Sequence, residues 1–116
     1  MNYQVQDHGG IAELIIEGNV LQENVDSLRS RLNELIEHKK VRVILNMAHA
    51  GYVSSLCLAV IVDVKTRLSG ENGDLKIANV NKLIRNLLEI TNLVKKIELF
   101  DTVEEAIVAF KSDETK

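Results

Sequence analysis

Residues 51–73, "GYVSSLCLAVIVDVKTRLSGENG", decide the fold. The apolar run from Leu56 to Val62 fits a strand or a helix by periodicity alone, so its length and its ends must arbitrate. The segment continues past Asp63 to a glycine-rich stop at Gly70–Gly73, which is too long for a usual strand. Wound as a helix, it puts Cys57, Val60, Ile61, Val64 and Leu68 on one face, with Asp63, Lys65 and Arg67 mostly off it. Ser54 and Ser55 stand just before the run and have two readings. They are a helix cap and nothing more, or one of them is a chemical switch.

Working outward, "VRVILN" from Val41 is a short β-branched run and reads as a buried strand. Before it, "LQENVDSLRSRLNELIEHKK" carries Leu21, Val25, Leu28, Leu32 and Leu35 at helical spacing, with cations in its last turn to suit the negative helix end. The N-terminal "MNYQVQDHGGIAELIIEG" reads as a hairpin, with Tyr3 and Val5 alternating with polar neighbours and Gly9–Gly10 as the turn. On the other side, "DLKIANV" is a strand and "NKLIRNLLEITNL" a helix capped by Asn81. "KKIELF" is a last strand. "TVEEAIVAF" is a helix opened by a capping box between Thr102 and Glu105. The order β-β-α-β-α-β-α-β-α predicts an α/β domain with a mostly parallel or mixed sheet and helices packed on it.

The 116 residues suit a single domain. With 46% apolar residues, 3% aromatic residues and no proline, the core must be built mainly from Leu, Ile, Val and Ala. A net charge of −3 argues against an electrostatic grip on nucleic acid. One cysteine excludes an intramolecular disulfide and fits a reducing compartment. The longest apolar run is too short to cross a bilayer, and "MNYQVQDHGG" has no basic stretch or apolar signal segment. A soluble cytoplasmic protein, off the membrane, is expected.

Catalytic signatures are thin. His8, His38 and His49 share no short metal-ligand spacing, and a thiolate-rich zinc site is excluded. There is no phosphate-binding glycine loop, and the serines are not in a G-x-S-x-G elbow. His49 reads as a loop histidine in preference to a base for Ser54 or Ser55, and Cys57 as a small core residue in preference to a reactive thiol. No metal or cofactor is expected. Ser54 is a good N-cap, which leaves Ser55 at the first helical position. From there Ser55, Ala59, Val62 and Thr66 form a stripe away from the apolar face.

Four stretches carry a family likeness. "IIEGNV" has the form of a second strand ending in glycine and a short polar residue. "VRVILNMAHAGYVSS" has the form of a central strand and switch loop, and "LEITNL" and "FDTVEEAI" fit a C-terminal half. Together with the element order, they resemble the STAS domain of bacterial anti-sigma factor antagonists over nearly the whole chain. The resemblance implies a single domain over residues 1–111, and the polar end "KSDETK" reads as a frayed tail, disordered at 112–116. It also implies a mixed sheet of about five strands with helices mainly on one face. In that family the loop reads aromatic, hydrophobic, Asp-Ser-Ser/Thr-Gly-Leu-Gly. Tyr52 and Val53 match the first pair, Ser54 takes the Asp position and Ser55 that of the phosphorylated serine. Leu56, Cys57 and Ala59 replace the second hydroxyl residue and the two glycines, with added bulk where a partner's backbone comes close. The resemblance implies a non-enzymatic module, monomeric or weakly dimeric. It binds an anti-sigma serine kinase of the GHKL type and is reset by a phosphatase of the PP2C type; the alternatives are a STAS scaffold without phosphoregulation and a small-molecule binder or enzyme. Ser55, or alternatively Ser54, is its phosphorylation site, and its docking surface is Tyr52, Val53, Ser54, Ser55, Leu56, Ala59, Val62 and Thr66.

Overall fold

Gly9 and Gly10 both take positive φ, at 65° and 95°, and so turn the chain back on itself. The computed structural model describes residues 2–114. Strand β1 (Asn2–Asp7) runs antiparallel to β2 (Ala12–Glu17), with Tyr3 opposite Ile16 and Val5 opposite Leu14. From β2 onward every neighbour is parallel: β3 (Arg42–His49), β4 (Asp74–Ala78) and β5 (Leu99–Phe100). The five strands lie in chain order.

That order dictates where the helices go. When successive parallel strands step one way and crossovers are right-handed, every connecting helix lands on the same face. Accordingly α1 (Val25–Glu37), α2 (Ser55–Ser69) and α3 (Lys82–Ile90) share one core with Leu14, Ile16, Val43, Leu45, Met47, Leu75 and Ile77. The alternate strand residues Ile44 and Ala78 face the other way and are covered by α4 (Val103–Glu114) through Val103, Ala106 and Phe110. The mixed sheet with helices mainly on one face is as the sequence led one to expect.

The decisive segment is a helix, and its expected face of Cys57, Val60, Ile61, Val64 and Leu68 is buried, joined by Leu58. Several ends differ from expectation. Helix α1 stops at Glu37, so Lys39 and Lys40 lie beyond it. Their amides close the end by donating to the carbonyls of Ile36 (3.0 Å) and Leu35 (2.8 Å), with Lys39 at φ 62°. Helix α3 ends at Ile90 because Asn92 turns left-handed, and a single 3-10 turn, Leu93–Lys95, follows. Only Leu99 and Phe100 of the expected last strand pair with β4. Residues 112–114 continue α4 where a disordered tail was expected. Asp113 is held there by Lys76 at 3.3 Å. Thr115 and Lys116 lie outside the described residues.

The capping box forms in part. The Glu105 amide donates to Thr102 Oγ1 (3.1 Å), but the Glu105 carboxylate accepts from the Thr102 hydroxyl (3.3 Å) in place of a backbone amide.

Candidate functional site

The β3–α2 loop is held from both sides by asparagine side chains. Asn19, after β2, accepts with one oxygen from the amides of Gly51 and Tyr52, each at 3.0 Å. Its own carbonyl is fixed by Asn24 Nδ2 at 3.1 Å. From the opposite side Asn81 Nδ2 donates to the carbonyls of Ala50 (3.3 Å) and Gly51 (3.0 Å), while Asn81 Oδ1 caps α3 by accepting from Ile84 N (2.8 Å). A Cβ at Gly51 would stand 3.0 Å from Asn19 Oδ1, so the small residue permits the close grip. Val53 forms a parallel bridge with Val20, and the Ser54 amide donates to Val20 O at 2.8 Å. The sequence flagged Asn81 only as a cap and missed Asn19. Their one visible signal was a short polar residue two or three positions beyond a strand end.

This frame separates the two serines. Ser54 sits in extended backbone and its Oγ accepts from Cys57 N at 3.2 Å, so it is the N-cap that the sequence indicated. Ser55 is the first residue of α2 and is exposed, and no described residue engages its hydroxyl. Its side chain therefore stands in solvent at the positive end of a helix.

The structure sorts the proposed docking residues. Tyr52 and Leu56 are 41% and 39% exposed on either side of Ser55 in the chain. Ala59 and Thr66 are exposed and Val62 half-buried, so the stripe along α2 exists. Thr66 spends its hydroxyl on Val62 O at 3.0 Å. Val53 does not belong to that surface. It is 1% exposed, because its bridge to Val20 turns it into the core. Cys57 likewise adds no bulk outside. It is buried, and burial pushes its thiol up to about 12, which makes it inert. Of the two glycine replacements only Ala59 reaches the surface. Beyond the stripe, Val62 and Thr66 line a groove of about 330 Å³ with Lys65, Ser69, Lys96 and Ile97.

Other polar clusters lie elsewhere. His49 is exposed at the end of β3, with its ring bonded to neither serine. His8 Nε2 meets Glu13 Oε1 at 2.7 Å, and Asn46 Nδ2 donates to Glu13 Oε2 at 2.9 Å. The carboxylates of Asp74, Glu98 and Asp113 converge within 4.8 Å of one another, as a metal site would need. The buried Lys76 ammonium already occupies that place, at 3.2, 2.6 and 3.3 Å from them. A cavity of about 600 Å³ next to this cluster, lined by Val41, Arg42, Asp74 and Phe110 among others, opens at the strand ends opposite Ser55. Among the described residues no helix is long and apolar enough to cross a membrane.

Comparison with known proteins agrees with this architecture. The anti-sigma F factor antagonist of Paenibacillus polymyxa is 22% identical over 110 residues, covering 92% of this chain and 94% of that one. An anti-sigma factor antagonist from Mycobacterium paratuberculosis superposes with a TM-score of 0.85 at 18% identity, over 93% and 92% of the two chains. The Bacillus cell fate determinant SpoIIAA in its phosphorylated form gives 0.73 at 16% identity, over 94% and 99%. These solved structures share the fold. The family model described as "STAS domain" matches residues 2–106, and the chain belongs to the STAS domain family.

Proposed function

We propose that the protein is an anti-sigma factor antagonist that docks on a serine kinase of the GHKL type, which is also the anti-sigma factor, and is switched by phosphorylation of Ser55. The observation that carries this is the division of labour between the serines. Ser54 is spent on the cap, and Ser55 stands exposed at the helix tip. The role is regulatory and non-enzymatic, in the cytoplasm, with a PP2C-type phosphatase as the resetting partner. The docking surface is Tyr52, Leu56, Ala59, Val62 and Thr66 around Ser55.

A phosphate on Ser55 adds about −1.5 to −2 charge at neutral pH. The helix N-terminus favours that charge by roughly 0.3–1 kcal/mol, so the domain stays folded. The interface bears the change instead, since a partner must desolvate a dianion or set its own carboxylates against it. A loss of about 3 kcal/mol there weakens binding roughly a hundredfold. The expected outcome is that Ser55→Asp binds the kinase far more weakly while Ser55→Ala binds like wild type. Equal binding by the two variants, measured by calorimetry, removes the switch.

One departure favours a second reading, a STAS scaffold that binds without phosphoregulation. Ser54 is neutral where the family's loop carries an acid, and apolar Leu56 follows the modified position. Incubation with kinase and ATP separates the readings. A phosphate mass gain that Ser55→Ala abolishes supports the switch, and an unchanged mass supports the scaffold.

A further inference from the structure

Two further surfaces, the first meeting the Ser55 docking stripe only at Lys96, are complementary to each other. The first is the outer side of α3, where Leu83 and Ile90 stand out on one face at i and i+7, with Leu87 between them half-buried against the core. Ile90 is 79% exposed and Leu83 50%, and Val94 in the turn that follows is 38% exposed. This is far more apolar exposure than an isolated surface residue gives. Its rim is basic. From residue 82 to residue 96 the cations are Lys82, Arg85, Lys95 and Lys96, against Glu89 alone. Arg85 is taken by Asp101 at 3.5 Å, but Lys82, Lys95 and Lys96 have no ion pair among the described residues.

The second surface is on α4 beside the short edge strand β5. Phe100, Val108 and Ala109 line a groove of about 390 Å³ that is almost wholly apolar, and Glu104 and Glu105 also line it. Val108 is 62% exposed. From residue 98 to residue 105 the charges are Glu98, Asp101, Glu104 and Glu105, with no cation. Glu104 has no partner within the described residues, and Glu105 has only the Thr102 hydroxyl and amide network at its own helix start.

We infer that a second copy of this chain docks here head to tail, with the α3 row of one molecule seated in the α4 groove of the next. Glu98 and Asp101 are already paired with Lys76 and Arg85, so the charges left without a salt bridge among the described residues are Lys82, Lys95 and Lys96 near the row and Glu104 and Glu105 in the groove. Each molecule thus offers both halves of one contact. The two halves lie on opposite faces of the sheet, because α3 and α4 do. The contact is therefore heterologous and does not close on itself as a two-fold dimer would. Apolar burial supplies the attraction, and the charged rims fix orientation and exclude like-charged mates.

Sedimentation velocity from low concentration to about 1 mM tests this, a range that detects even a millimolar Kd. Wild type is expected to rise steadily above monomer mass without a plateau at dimer, and less so at high salt. Ile90→Asp and Val108→Asp are each expected to remain monomeric with unchanged circular dichroism, since both positions are on the surface. Mixed in equal amounts they should form a dimer and nothing larger, at least about tenfold tighter than either alone. Each retains one good half, so only one contact can form. A double charge swap gives a second reading. Lys95→Glu with Lys96→Glu should weaken association, and mixing it with Glu104→Lys with Glu105→Lys should restore it. The proposal is overturned if wild type stays monomeric, if the mixture is inert, or if either aspartate variant still self-associates. Capture of the protein by phosphatidylserine vesicles without self-association would overturn it too, by giving the basic row to a membrane.

Discussion

At Ser54 and Ser55, two adjacent residues of one chemistry have different environments and so different substitution costs. Ser54→Ala removes the acceptor for Cys57 N and is expected to destabilise by about 1 kcal/mol. Ser55→Ala removes an exposed hydroxyl that nothing engages, and is expected to lie within about 0.5 kcal/mol of wild type. Thermal melts of the pair check this, and a reversed order would mean that the cap had been assigned to the wrong serine. The cap was legible in the sequence because a serine directly before a long apolar helical segment has few other tasks. Asn19 was not legible. Its role depends on residues 51 and 52, which are distant in sequence and meet it only when β2 and β3 pair. Val53 misled for a related reason, since a hydrophobic residue in a loop shows its direction only once it bridges to Val20.

The elements were more readable than their undersides. Period-2 and period-3.6 patterns located the strands and α2, because one buried face imposes each pattern. They did not show that Lys76 is 0% exposed. In β4 it alternates with Leu75 and Ile77, which reads as solvent-facing until α4 is placed over it. There Lys76 holds Asp74, Glu98 and Asp113, with its Nζ 4.6 Å from the Phe110 ring centre. It joins strand, edge and helix at one point. Lys76→Met should fill similar volume but leave Glu98 and Asp113 without their cation, while Asp74 keeps Lys65. Glu98 and Asp113 are 59% and 52% exposed at the side chain and can rehydrate. The expected loss is therefore about 1–3 kcal/mol, below that of a sealed pair. Urea denaturation measures it, and amide exchange should quicken in α4 ahead of α1 and α2. Uniform exchange across all helices would show that Lys76 does not specifically hold α4.

For the whole molecule, the same cluster sets how stability follows pH. Burial alone would raise Asp74, but the hydrogen bond from Lys65, the Leu75 amide and the charges of Lys65 and Lys76 outweigh it and hold its carboxyl below the usual range. Burial alone would lower Lys76, but the Glu98 hydrogen bond and Asp74 outweigh it and raise the ammonium. Asp74 thus contributes in full above its unfolded value of about 3.9, and the contribution drains as pH falls through its lower folded value. Lys76 contributes in full below about 10.4 and drains as pH rises through its higher folded value. Melting temperature is expected to be level across neutral pH and to fall at both extremes. In Lys76→Met the alkaline fall should shrink, and an unchanged alkaline limb would remove Lys76 as its source. Asn81 has a different reach. Its carboxamide starts one helix with its oxygen and steadies the serine-bearing turn with its nitrogen. One side chain thus ties two neighbouring starts together, and Asn81→Ala is expected to loosen both at once, as faster amide exchange at Ile84 and in the turn before Ser55.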